Sequence, residues 1–227
     1  MAEAGDVMDA NPAEIEAAVA AALERLSADR FVAYPTETVW GLGACADRAP
    51  AVDRLLAWKG RGSNAPLAVL AATPAQVEDL GCSVDARVSR LIAGFWPGPL
   101  MLVLPCAREF APGVAGTAGA LGVRCSPHPL SVRLATALAD AGLGPLTSTS
   151  LNRTGSPPAE TRSDVATILA GAADGPETPW LVQAGSLDAG GERPSTVVDC
   201  TGESLVVLRE GAIATERVEA VAEGDAP

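Results

Sequence analysis

The sequence has 227 residues, 48% of them hydrophobic and 19% charged, which is enough apolar material to bury one sizeable core in a single domain. Its 28 acidic and 16 basic residues give a net charge of −12, which argues against tight general binding to a nucleic-acid backbone. The apolar runs fall far short of the roughly 20 residues of a bilayer-spanning helix, and the acidic N-terminus lacks the features of a secretory signal, so we expect a cytoplasmic protein.

The first half of the chain alternates predicted helices with short strands. Asn11, Pro12 and Glu14 are typical of a helix start, as N-cap, first-turn proline and capping-box acid. The predicted segments are, in order, a helix from Pro12 to about Ala28, a strand at 31–34, a helix over 52–58, a strand at 67–70, and helices after Pro74 and over 85–95. The two glycines after Trp40 predict a polar loop rather than regular structure.

The second half continues this alternation and adds consecutive strands. The predicted segments are strands at 100–104 and 120–125, a helix over 130–139, a strand at 145–149, a helix to about 169 capped by Ser163, and strands at 196–198 and 205–208. Alternating strands and helices indicate an α/β fold, and the consecutive late strands favour a mixed sheet. We expect one domain over 12–219, an N-terminal extension over 1–11 and a C-terminal tail over 220–227.

The cysteines and the single histidine do not suggest a metal or nucleophile site. The five cysteines are never closer than 19 positions, which excludes C-x-x-C spacing and favours buried reduced thiols. His128 lies between two prolines and has no recognisable triad partners. We therefore expect no metal bound by protein ligands.

Two polar clusters follow predicted strands. Thr36, Glu37 and Thr38 come directly after the first strand, where open α/β sheets often bind ligands, although a capped turn would use the same residues. A denser run of hydroxyls and an amide begins at Ser148 and includes Ser150 and Asn152. An Asx or Ser/Thr turn is the structural alternative for this second cluster.

A third cluster contains the only lysine of the chain. Lys59 and Arg61 are separated by Gly60 and followed by Gly62, Ser63 and Asn64. If the glycines prevent a helix, an extended backbone would direct both cations the same way, which suits a polyanion. The alternative is an ordinary helix end, where cations complement the dipole.

Two arginines and a serine form a fourth group. Arg124 lies inside an apolar strand and Arg209 ends one, and a buried guanidinium must be paired or face a wet cavity. An internal Asp or Glu partner is one possibility. Ser195 opens a strand after a flexible Gly/Pro stretch and could line the rim of a pocket.

Taken together and in this order, the clusters resemble the YrdC-like family. The similar segments are YPTETVWGLG at 34–43, KGR at 59–61, FWPGPL at 95–100, GVR at 122–124, TSLNRTG at 149–155, STVVD at 195–199 and LREGA at 208–212. The resemblance covers roughly Ala13 to Val218. Over this range the chain is similar to the single-domain form of the family. Each segment is weak alone, but the series is specific.

The resemblance implies a YrdC-like twisted mixed sheet flanked by helices, with a central positively charged cavity. It also implies a nucleotidyltransferase that forms threonylcarbamoyl-AMP and pyrophosphate from L-threonine, bicarbonate and ATP, for threonylcarbamoyladenosine modification of tRNA. The implied cofactor is Mg²⁺ bound through the ATP phosphates. The implied partner is a tRNA threonylcarbamoyl-transferase complex that receives the product.

The same resemblance assigns roles to individual residues. Lys59 and Arg61 match the catalytic cations. The implied ATP-binding residues are Lys59, Arg61, Ser150, Asn152 and Arg209, and the implied L-threonine-binding residues are Thr36, Arg124, Ser148 and Ser195.

The sequence departs from the family pattern at several positions. Trp40 stands where Tyr is frequent, Gly62 where Pro is frequent, Ala120 where a hydroxyl residue is common and Leu151 where Ala is usual. These changes bear on substrate detail. Two other functions remain open: a paralogue that has lost synthesis and serves as an RNA-binding or ribosome-maturation factor, and a carbamoyl-adenylate enzyme with another acceptor.

Overall fold

The computed structural model describes residues 11–62, 66–116, 119–191 and 193–224. Within these residues the chain forms seven helices and nine strands. In chain order they are α1 (Pro12–Ser27), β1 (Val32–Tyr34), β2 (Gly41–Gly43), α2 (Ala49–Lys59), β3 (Ala68–Ala71), α3 (Gln76–Asp79), α4 (Ala86–Phe95), β4 (Leu100–Pro105), β5 (Ala120–Cys125), α5 (Pro129–Asp140), β6 (Leu146–Ser150), α6 (Arg162–Ile168), β7 (Trp180–Leu181), β8 (Thr196–Asp199), β9 (Val206–Arg209) and α7 (Thr215–Glu223).

The strands of this part of the chain form one mixed sheet. Their order across the sheet is β7-β1-β2-β6-β3-β5-β4-β8-β9. The pairs β1/β7, β3/β5 and β4/β8 are parallel, and the other five pairs are antiparallel. The predicted α/β fold with a mixed sheet flanked by helices is therefore confirmed.

Both faces of the sheet are covered by apolar side chains, because successive residues of a strand point to opposite faces. In β1 and the residue before it, Phe31 and Ala33 belong to one core cluster, whereas Val32 and Tyr34 belong to the other. The first cluster packs against α2, α4 and α7, and the second against α1 and α5. The sheet thus forms the central layer between helices.

Helices α1 and α5 cover only part of their face of the sheet. In β5, Leu121, Val123 and Cys125 are buried in the first core cluster, whereas Gly122 and Arg124 face the opposite side and line a cavity. In β4, Met101 and Val103 likewise line the cavity, between the buried leucines 100, 102 and 104. The cavity is therefore the part of this sheet face that lies beyond the two helices.

Several sequence predictions differ from the structure in detail. The glycines after Trp40 form β2 instead of a loop. They are glycines because close neighbours leave no room for a side chain at Gly41 or Gly43. The N-cap of α6 is Thr161, in a capping box with Asp164, and not Ser163. Strand β7 and helix α7 were not predicted.

The expected domain limits and the expected buried, reduced cysteines can be compared with the structure of the described residues. Helix α7 runs from Thr215 to Glu223, across the expected limit at residue 219, while residues 1–10 and 225–227 lie outside the described residues. All five cysteines are free, and four are buried, with Cys106 half-buried. None of the helices in the described part of the chain combines the length and apolar character of a membrane span.

Candidate active site

The polar clusters predicted from the sequence meet at one cavity of about 540 Å³. Eight of the nine expected site residues line it: Thr36, Arg61, Arg124, Ser148, Ser150, Asn152, Ser195 and Arg209. These residues are separated by up to 173 positions in the sequence, and the sheet brings them together from β5, β6, β9 and the segments next to β1, α2 and β8. The volume is in the usual range of small-molecule sites.

Lys59, the ninth residue, lies directly behind the cavity wall. It is only 4% exposed, and its Nζ donates hydrogen bonds to Ser150 O at 2.6 Å, Asn152 O at 3.1 Å and Asn152 Oδ1 at 2.9 Å. An ammonium has three donors, so all of them are used. To contact a phosphate, Lys59 would have to exchange one of these bonds.

The expected extended backbone between Lys59 and Arg61 is not found. Lys59 is the last residue of α2, and Gly60 ends the helix in the left-handed conformation with φ 64°. The two cations therefore reach different places: the Lys59 amine contacts the 150–152 segment, whereas Arg61 lines the cavity. Lys59 therefore lies at a helix end, which is the alternative that the sequence left open.

Arg61 is bonded more loosely than Lys59. Its guanidinium donates to Thr149 Oγ1 and to Pro66 O, both at 3.3 Å. A guanidinium has five N–H donors, so most of them have no partner among the described residues. Burial lowers the pKa of Arg61, which remains a cation because an arginine starts from such a high value.

The segment after β6 is fixed by its own contacts and by α2. Ser150 Oγ donates to Asn152 Oδ1 at 2.7 Å, and Thr154 N donates to Lys59 O at 2.8 Å. The Arg153 guanidinium lies 4.2 Å from the centre of the Trp58 ring, a cation–π contact. These bonds hold Ser150 and Asn152 in place at the cavity wall.

Arg124 has the internal acidic partner that the sequence left open. Its Nη2 donates to Glu37 Oε1 at 2.6 Å and to Thr38 Oγ1 at 2.7 Å, and Ser126 Oγ donates to the other Glu37 oxygen. Within the described residues its buried Nε has no partner. Since Glu37 offsets the charge of Arg124, the positive charge of the cavity stays a prediction.

Thr36 uses its hydroxyl inside its own loop. Its Oγ1 donates to Val39 O at 2.7 Å, accepts from Thr38 N at 3.2 Å and lies 3.0 Å from Thr38 Oγ1. One donor and two acceptor positions are the full capacity of a hydroxyl. A ligand that bonds to this hydroxyl would have to displace one of these partners.

Ser195 and Arg209 lie together on the opposite side of the cavity. Arg209 donates to Ser195 O from Nε at 3.2 Å and from Nη2 at 2.8 Å. Although Arg209 is at the exposed rim, partial burial, and after it the charge of Arg124, lowers its pKa. The Ser195 hydroxyl is buried, and no hydrogen-bond partner for it is found among the described residues.

Other lining residues were not predicted as site residues. Met101, Val103 and Gly122 form an apolar floor, and Trp40 and Thr149 belong to the wall. The floor could have been found from the alternation of β4 and β5, because these residues share the face of Arg124. The described lining contains no carboxylate.

Comparisons with known proteins identify the family. A family model named Sua5/YciO/YrdC and described as telomere recombination matches residues 24–211. The chain is 37% identical to the threonylcarbamoyl-AMP synthase of Bacillus subtilis strain 168, over 89% of this chain and 56% of that protein. It is 38% identical to the threonylcarbamoyl-AMP synthase of Chromohalobacter salexigens, over 82% of this chain and 95% of that protein.

Solved structures agree with this relationship. The structure of P. abyssi Sua5 complexed with L-threonine superposes with a TM-score of 0.77 at 30% identity, over 91% of this chain and 57% of that one. E. coli YciO has the same fold, with a TM-score of 0.72 at 22% identity, over 89% of this chain and 92% of that one. The chain spans little more than half the length of the B. subtilis and P. abyssi proteins. Because the family model matches most of the chain and relatives are more than 30% identical over most of it, the chain belongs to the Sua5/YciO/YrdC family.

Proposed function

We propose that this protein is an L-threonylcarbamoyladenylate synthase, which forms threonylcarbamoyl-AMP and pyrophosphate from L-threonine, bicarbonate and ATP. The observation that supports this most directly is the meeting of Arg61, Arg124 and Arg209 with hydroxyl and amide groups at one cavity. Both the names of the relatives and the L-threonine complex of P. abyssi Sua5 favour the same activity. The product would serve threonylcarbamoyladenosine modification of tRNA and pass to a tRNA threonylcarbamoyl-transferase complex.

The proposed reaction has two steps that need alignment more than a strong base. The amine of L-threonine combines with bicarbonate, water is lost, and a carbamate forms. A carbamate oxygen then attacks the α-phosphorus of ATP. The bond between the α-phosphorus and the oxygen that bridges it to the β-phosphate breaks, which releases pyrophosphate. Because two anions must approach each other, the site has to offset negative charge and fix both partners.

The described residues can be divided between the two substrates. Arg61 has donors without a partner among the described residues, at the wall beside Ser150 and Asn152. We assign these three residues, together with Arg209 at the rim, to ATP. Lys59 adds a positive charge behind this wall and fixes its shape through its three bonds. Mg²⁺ would be bound through ATP phosphates and water, since the described lining offers it no carboxylate, and would offset charge on the leaving pyrophosphate.

The L-threonine site is assigned to the other side of the cavity. Arg124 lines this side of the cavity and is assigned to the substrate carboxylate, and the Ser195 hydroxyl has no partner among the described residues. Ser148 is buried and lines the same cavity. Thr36 completes this group as a wall residue whose hydroxyl is already bonded.

The test is pyrophosphate release from ATP that depends on both L-threonine and bicarbonate. Arg61→Gln should lower kcat/KM by about 100-fold or more, since it removes a charged donor aimed at the developing charge. Its two long hydrogen bonds mean that the fold should persist. Arg54→Gln, in the helix α2 that ends just before Arg61 but bonded to Asp29 O away from the cavity, is the matched control and should retain activity.

Two outcomes would contradict the proposal. Pyrophosphate release from the unsubstituted protein that does not require L-threonine would exclude this substrate. Equal activity of the Arg61 and Arg54 variants would remove Arg61 from the reaction.

A further inference from the structure

A short segment, residues 185–191, lies across the loop that carries Thr36; we call it the strap. Gly190 N donates to Thr36 O and Gly191 N donates to Thr38 O, both at 3.0 Å. A side chain at Gly191 would begin 2.8 Å from Glu37 O, so the two backbones are in close contact. The strap therefore rests directly on the loop that contains both hydrogen-bond acceptors of Arg124.

The carboxylate of Asp188 joins the strap to the cavity wall. Its Oδ1 accepts from Trp40 Nε1 at 2.7 Å, and its Oδ2 accepts from Arg162 N at 3.3 Å. Trp40 is fully buried, lines the cavity and accepts at its backbone oxygen from Leu151 N at 2.8 Å. Asp188 is thus linked through Trp40 to Leu151, in the 150–152 segment.

Two further side chains hold the strap from other elements. His128 Nε2 lies 3.2 Å from Asp188 O, and because His128 Nδ1 accepts from Leu130 N, the hydrogen of the neutral ring is on Nε2 and is donated to the strap. Arg162 donates to the backbone oxygens of Gly185 and Leu187. The strap is therefore fixed by α5, by α6 and by the Trp40 side chain together.

We propose that Asp188 is a positioning residue that fixes the Thr36–Trp40 wall for L-threonine binding. The inference rests on the proposed function. Without the Asp188 carboxylate, the Trp40 indole N–H and the Arg162 backbone N–H lose their acceptor, and the strap holds the wall only through its backbone bonds to Thr36 and Thr38. On the ATP side, Ser150 and Asn152 keep their bonds to Lys59, and Arg61 keeps its bonds to Thr149 and Pro66. The change should therefore be confined to the amino-acid side of the cavity.

The test compares the KM values of both substrates. Asp188→Ala should raise the KM for L-threonine by about tenfold, the cost of a lost charged hydrogen bond, while the KM for ATP stays nearly constant. Asp188→Asn retains an oxygen that can accept from the indole and should recover most of the affinity. Trp40→Phe keeps an aromatic ring but removes the indole N–H that donates to Asp188, so it should raise the KM for L-threonine in the same way. It replaces Asp188→Ala as the test if the Asp188→Ala protein does not fold.

The matched control is Asp174→Ala, which removes an exposed carboxylate that is paired with Arg30 and not with the strap. It should leave both KM values unchanged. Parallel increases in the KM for ATP and L-threonine, or an Asn variant as impaired as the Ala variant, would overturn the positioning role.

Hydrogen exchange separates this inference from the proposed function. Asp188→Ala, but not Asp174→Ala, should speed amide exchange in residues 36–41. Unchanged exchange there would overturn the inference whatever the activity. Faster exchange in a protein with no L-threonine-dependent turnover would support the positioning of the wall and reject the proposed function.

Discussion

Lys59 is a buried cation whose hydrogen bonds all go to oxygen atoms of the 150–152 segment. Burial, and then the charge of Arg61, lowers the pKa of Lys59 from 10.5 to about 8. The ammonium form is the one that donates to three oxygens. If that form is needed for the wall, activity should fall as the pH rises through about 8.

This titration can be observed directly because Lys59 is the only lysine in the sequence. In protein labelled with ¹³C-lysine, the Cε resonance should titrate with a midpoint of about 8. Arg61→Gln should raise this midpoint because it removes a like charge, whereas Arg54→Gln should not. A midpoint near 10.5 in the unsubstituted protein would show that burial does not destabilise the charged form.

The β8–β9 hairpin and the residues after it form a tightly packed element beside the cavity. Gly211 lies against the backbone just before β8. A methyl group at Gly211 would be 2.1 Å from Pro194 O and 2.5 Å from the Ser195 carbonyl carbon. Gly211→Ala should therefore force the backbone apart, displace Ser195 and lower the free energy of unfolding by about 1–3 kcal/mol. Thermal or urea denaturation measures this loss.

Gly202, in the turn of the same hairpin, is the matched control. A methyl group there would meet Ser204 O only at 3.6 Å, an ordinary contact. Gly202→Ala should leave stability within about 0.5 kcal/mol of the original. Equal stability of the two variants would show that the approach at Gly211 relaxes without cost.

The elements with strong patterns were predictable, and those shaped by neighbouring strands were not. The apolar run of β5 predicted its limits correctly, and the caps of α1 marked its start. The two-residue strand β7 has too little sequence for a periodic signal. The glycines of β2 suggest a loop in isolation, since only the adjacent Tyr34 ring and the β6 backbone show why side chains are excluded there.

The candidate site was predictable as a set of residues but not as a set of bonds. The order of the motifs pointed to the eight residues that meet at the cavity. The pairing of Arg124 with Glu37 and the enclosure of Lys59 depend on contacts across 87 and 91 positions, respectively, which local spacing does not reveal. The strap has a Gly-rich sequence without a periodic pattern, so its role could be seen only in the fold.

At the scale of the whole molecule, the net charge of −12 contrasts with the arginines at the cavity. A phosphate backbone is repelled by the overall charge, whereas a small nucleotide can reach cations in a recess. We expect a short RNA duplex to bind no more tightly than about 100 µM at physiological salt, the weak end of non-specific binding. Fluorescence anisotropy over a series of salt concentrations measures this affinity.

The RNA-binding alternative predicts the opposite result. Tight binding that weakens steeply with salt, and that Arg61→Gln reduces, would place a phosphate backbone in the cavity. Combined with an absence of adenylate formation, it would favour a paralogue that has lost synthesis.

The cavity takes residues from Thr36 near the start of the sheet to Arg209 at the end of its last strand. During synthesis, a chain that ends before Ser195 lacks both Ser195 and Arg209, so one side of the cavity is missing. A growing polypeptide on the ribosome should therefore gain its ligand site only after Arg209 has emerged, and ligand capture should report the assembly of the whole sheet rather than an early stage of folding.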